Sequence, residues 1–152
     1  MSAHRVAGLL ATGCALLALA GPLSAQAIVI PLGDLEFGQL QAGTTETVPP
    51  TDGRRASFLM LARGSYLAQF VLPPALTSAG GGSVSLTFGP GDAIAQQRGN
   101  QTFFDPTQPF PLAGPGLQLY RFYLGGTAGP VIGAPAGNYT AVITLLIIQA
   151  GA

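Results

Sequence analysis

The sequence predicts an all-β chain, an antiparallel β-sandwich of about seven or eight short strands. Three observations carry this. β-Branched and aromatic residues fall in short runs, several with a two-residue alternation. Gly and Pro, 22 and 13 of the 152 residues, punctuate those runs and do not fill long tracts. No stretch keeps a helical period, because proline recurs often enough to break most windows of helix length.

The first strand is expected at residues 28–32, where Pro31 favours a sheet edge. Residues 35–40 follow, with Leu35, Phe37 and Gln39 on one parity, then a weaker Thr-rich strand at 43–48. Residues 56–63 put Ala56, Phe58, Met60 and Ala62 on one face, and 66–72 do the same with Tyr66, Ala68, Phe70 and Leu72. The short Gly64-Ser65 break makes this pair a hairpin or one bent strand. Residues 83–88 alternate most cleanly, Val84, Leu86 and Phe88 against Ser83, Ser85 and Thr87. Residues 117–124 and 139–149 form the last two long strands. Loops are expected at 73–82 and 89–116. The second has a length that goes with function or with short unrecognised strands. Its Phe103, Phe104 and Phe110 either plug the core or form an exposed ligand patch.

Residues 1–27 read as a signal peptide. His4 and Arg5 precede an apolar stretch over 6–20, Gly21-Pro22 breaks it, and Ala25-Gln26-Ala27 matches a small-x-small cleavage pattern. Cleavage is expected after Ala27, with Ala25 the second choice. The stretch falls short of the roughly 20 apolar residues of a helical span, so no integral membrane span is expected. Cys14 is an ordinary leader cysteine and not a lipid anchor, because Ala11 stands where a lipoprotein box has Leu. A single domain then occupies 28–152.

This placement sharpens the composition. His4 and Cys14 are the only residues of their kinds, both lie in the leader, and the chain has no Lys. The mature domain would have neither thiol nor imidazole nor amine side chain. That excludes Schiff-base and thiol chemistry, Ser-His-Asp triads, disulfides and Cys/His zinc sites. No catalytic residue, cofactor or metal site is expected, and an enzyme is not. Five Arg against six acids leave a charge near zero once the leader is gone. Scattered Arg make no basic patch, so no nucleic acid is expected as partner. Low charge favours association. Asp34 with Glu36, the loop residues Asp92, Asn100 and Asp105, the Arg54-Arg55 turn and Arg121 among tyrosines each offer a polar group. None has the spacing of a calcium loop.

Asp34-Leu35-Glu36-Phe37-Gly38 lies near the start of the domain, Leu124-Gly125-Gly126-Thr127 late in it, and Ala136-Gly137-Asn138-Tyr139 through Thr144 near its end. This layout resembles a bacterial family of uncharacterised secreted domains related to spore-coat-protein-U-like and fimbrial subunit domains, across essentially the whole mature chain. The resemblance implies an immunoglobulin-like sandwich that is exported and surface- or pilus-associated. In fimbrial relatives one subunit fills a sheet gap in the next by strand addition. Here only residues 28–33, about 20 Å of extended chain, precede the first motif, and the cysteines common in spore-coat-U-like relatives are absent.

The expected function is therefore an exported, non-enzymatic structural or interaction domain, a pilus-like or surface-assembly subunit. Its partners would be copies of itself or related subunits, in the periplasm, at the cell surface or outside the cell. The candidate strand-pairing interface is Ile28, Ile30, Leu146 and Ile148. The alternative is a monomeric periplasmic or surface module that binds glycan or polymer through the 89–116 loop.

Overall fold

Strict alternation decides the longest strands. In residues 56–63 every second side chain is apolar and sinks out of solvent, while its neighbours face outward. The computed structural model describes residues 10–11 and 27–150, and among these every regular element is a strand. In chain order they are β1 (Leu10–Ala11), β2 (Ala27–Gly33), β3 (Glu46–Val48), β4 (Ala56–Arg63), β5 (Tyr66–Val71), β6 (Ala75–Thr77) and β7 (Ser83–Thr87). Then come β8 (Ala93–Gln97), β9 (Asn100–Phe104), β10 (Phe110–Leu112), β11 (Leu117–Leu124), β12 (Gly126–Ala128) and β13 (Val142–Gln149).

One sheet has the order β2-β4-β11-β8-β9, a second β1-β13-β5-β10, and a third β3-β12-β7-β6. All pairings are antiparallel except that of β1 with β13. A bridge between Thr77 and Thr140 ties the third sheet to the chain entering β13. The five-stranded sheet packs against the second through aromatic side chains. Phe58 of β4 lies 5.8 Å from Phe70 of β5, and Phe122 of β11 meets Phe70 edge-on at 6.3 Å. Phe58, Met60, Phe122, Leu124, Ile143 and Leu145 are all fully buried. Each such side chain contributes about 1.5–3 kcal/mol by leaving water. This layering is consistent with a β-sandwich.

Several expected elements are shorter or absent. Residues 35–40 form no strand, because Gly38 turns left-handed at φ 73° and ends the extended run. Leu35, Phe37 and Leu40 still bury themselves in the core. The strand expected at 43–48 keeps only its last three residues, and the one expected from 139 starts at Val142. The 89–116 segment is no open loop. It holds the β8–β9 hairpin and β10, whose polar or proline-broken runs hide a strand signal. The Leu124-Gly125-Gly126-Thr127 step has a steric cause. A Cβ on Gly126 would meet the Phe88 ring at 2.7 Å, and one on Gly125 would strike the Val48 carbonyl.

Two buried tyrosines differ in one respect. The Tyr139 hydroxyl donates to the Pro135 carbonyl at 2.6 Å and fixes the turn before β13. Gly82 lies against it, at a φ of 115° and with no room for a Cβ. The Tyr66 hydroxyl is equally buried but finds no hydrogen-bond partner among the described residues. Burial raises its pKa above the ordinary 10.0. Tyr139→Phe should therefore cost about 1–3 kcal/mol, whereas Tyr66→Phe should be neutral or stabilising. As pH climbs past the ordinary tyrosine range, the unfolded chain gives up its Tyr66 proton first, so stability should fall there. Tyr66→Phe should flatten that alkaline loss. Melting temperatures of the two variants and the parent between neutral and strongly alkaline pH check both statements.

Candidate functional site

The candidate site is the outer edge of β13. On its inner side β13 pairs with β5 from Thr144 opposite Val71 to Gln149 opposite Tyr66. Thr140 exchanges two backbone hydrogen bonds with Thr77, and the Ala150 N–H donates to the Ser65 carbonyl at 3.1 Å. Thr140 and Ala150 have the same parity. In a regular ladder the residues between them alternate, so Thr144, Leu146 and Ile148 turn their backbone groups toward β5. Ile143, Leu145, Ile147 and Gln149 turn theirs the other way. On that side β1 pairs in parallel at Val142 and Ile143. Beyond Ile143, no further strand pairs with that edge among the described residues. Three successive outward-facing residues thus offer an N–H and a C=O each to a further strand.

The side chains of the same strand fall on two faces. Ile143 and Leu145 are buried and Ile147 packs beside the core. Val142 and Ile148 are exposed, with Thr144 and Leu146 half-buried between them. Leu146 and Ile148 therefore flank the open edge. Ile28 and Ile30 do not join them: they lie on β2 in the five-stranded sheet, opposite Leu61 and Leu59 of β4, with outward side chains. Ala27 opens β2 opposite Ala62, while Ala25 lies outside the described residues, as do His4 and Cys14.

The aromatic trio splits. Phe104 and Phe110 are 4.5 Å apart and both pack against Phe122, with Phe104 also stacked on Phe70. Phe103 points away and is 56% exposed.

A second concave region was not anticipated as one site. Asp34, Glu36, Arg54, Arg55, Ser57 and Tyr123 line a cleft of about 380 Å³ at one end of the five-stranded sheet. The Arg55 guanidinium stacks 3.9 Å over the Tyr123 ring, and the Tyr123 hydroxyl pairs with Gln96. Arg54 bridges Glu46 at 2.9 Å and Asp52 at 3.3 Å. The Asp52 carboxylate accepts the Arg54 backbone N–H and its guanidinium, which hold its pKa below the usual carboxylate range. These are solvated pairs of small energetic weight. The sequence marked Asp34 with Glu36 and the Arg54-Arg55 turn only as separate polar groups; it did not bring them together.

The loop acids stay apart, each capping its own turn. Asp92 accepts the Gly89 N–H, and Asp105 accepts from Thr107. No group of three metal-ligating side chains occurs among the described residues, and no helix there is long and apolar enough to cross a membrane. Comparison with protein-family models and with curated proteins finds no match.

The aromatic split has a measurable consequence. Phe104→Ala should cost about 3 kcal/mol through the cavity it leaves, whereas Phe103→Ala should stay within about 0.5 kcal/mol. Denaturant midpoints of the two variants decide this.

Proposed function

We propose that this chain is an exported, immunoglobulin-like interaction domain that joins its neighbours by strand addition at the outer edge of β13. The observation that carries the reading is the one-sided pairing of β13 among the described residues, which leaves backbone groups that are a template for a further strand. The two-residue parallel pairing of β1 with Val142 and Ile143 on the same edge supports it. Because β1 belongs to the leader read from the sequence, its removal on export leaves the edge open to a copy of this chain or to a related subunit. The bond from the Tyr139 hydroxyl to a carbonyl four residues upstream supports the immunoglobulin-like architecture. It resembles the tyrosine corner of such sandwiches.

The N-terminal segment of the domain is a poor donor for this role. Residues of β2 are already paired along β4, and Pro31 lacks an N–H. The competing reading, a glycan or polymer site on residues 89–116, retains Phe103 as its one exposed phenylalanine.

A charge on each outward side chain flanking the edge should oppose strand addition without touching the core. Leu146→Lys combined with Ile148→Lys should lower the assembled fraction by about tenfold or more, with a melting temperature near the parent's. Sedimentation velocity and electron microscopy of protein from cells expressing the full chain provide the readout. Assemblies undiminished in the double variant would count against the proposal.

A further inference from the structure

The outer face of the five-stranded sheet is apolar where a solvated sheet face is normally polar. Ile28 of β2, Leu61 of β4 and Leu119 of β11 stand directly opposite one another across three strands, and Ile30, Leu59 and Arg121 form the next row. Leu117 and Arg63 pair at the end of the same face. Ile28, Ile30, Leu117 and Leu119 are 52%, 43%, 64% and 48% exposed, and the bulged Leu32 beside them 53%. These side chains present roughly 500–600 Å² of contiguous apolar surface, at the top of the range for any patch on a soluble monomer.

We infer that this face binds a second copy of the chain, sheet against sheet, independently of the β13 edge. Two observations favour a copy over an unrelated partner. The first is area: two such faces would bury roughly 1,000–1,200 Å² of apolar surface before any rim, which reaches the range of stable interfaces. The second is charge. Arg63 stands at one end of the face; at the other, the cleft holds Asp34 and Glu36 against Arg55, while its Arg54 is paired with Glu46 and Asp52, so that end carries a surplus of negative charge. A two-fold axis between the faces, running across the strands at the level of Met60, reverses one copy end for end. Ile28 then lies over the partner's Ile30, Leu59 over the partner's Leu61, and the Arg121 stem over the partner's Leu119. Each Arg63 then falls over the other copy's Ser57, beside the cleft that Ser57 lines together with Glu36. Such a contact is isologous and closes at two copies.

The test is sedimentation equilibrium on protein from cells expressing the full chain, with circular dichroism to monitor folding. The parent should dimerise at micromolar concentrations, and Leu119→Asp should weaken the dimer at least about tenfold. Arg63→Glu should weaken it several-fold, and adding Glu36→Arg to Arg63→Glu should restore it. Leu146→Lys with Ile148→Lys should leave the dimer intact, which separates this interface from strand addition. A parent that stays monomeric at concentrations on the order of 100 µM would overturn the inference. So would a dimer unaffected by both Leu119→Asp and Arg63→Glu, or one that the β13 variant alone dissolves.

Discussion

A strand has two hydrogen-bonding sides, and among the described residues β13 uses one of them along most of its length. Most of what distinguishes this molecule follows from that constraint. The strand is fixed at both ends by groups that leave no freedom of register. The Thr77–Thr140 pair sets where it enters, and the Ala150–Ser65 bond sets where it leaves. Tyr139 anchors the preceding turn from inside the core. With the inner side satisfied and the inner-face side chains buried, the remaining unpaired donors and acceptors can only face outward. A row of such groups is costly unless water or another strand meets it.

The other edges of the molecule are blunted. β2 carries Pro31 and a register shift before Gly33. β10 is three residues long with Pro111 at its centre, and β3 is equally short. β9 presents Asn100, Gln101 and Thr102. Short, polar, bulged or proline-bearing edges resist pairing with another chain. β13 has none of these defences. It is eight residues long, with an aliphatic centre and no charged side chain. The contrast within one chain supports reading the β13 edge as an interface and not as an oversight of packing. The apolar outer face of the five-stranded sheet is a separate matter, since it offers side chains and no backbone groups.

Much of the framework was legible in the sequence, and the reason is periodicity. Residues 56–63 and 117–124 became strands with the expected bounds, because alternation over eight residues leaves a single way to bury one face. The same alternation put Phe58 and Phe70 on the inner parity of their strands, though that their rings meet is seen only in the structure. Residues 35–40 misled because their inward side chains mimic a strand, while Gly38 breaks the backbone locally. Short strands within 89–116 were one of the two expectations for that segment, but β8 to β10 could not be placed, because each is three to five residues long and polar residues or proline interrupt the alternation. The candidate site was half legible. Leu146 and Ile148 lie beside the open edge as expected. Ile28 and Ile30 were grouped with them, but which sheet each strand joins is a long-range fact that no local pattern encodes. Glu36 and Arg55 were singled out separately, but that they share one cleft was not legible, for the same reason.

The most direct measurement of the open edge is residue-resolved amide hydrogen exchange on unassembled protein. Leu146 and Ile148 point their N–H groups into the β5 ladder, and Leu145, Ile147 and Gln149 point theirs outward. An open edge predicts strong protection at the first pair and rapid exchange at the other three, alternating along one strand. Uniform protection across all five positions would contradict it, because the outer side of β13 would then already be occupied.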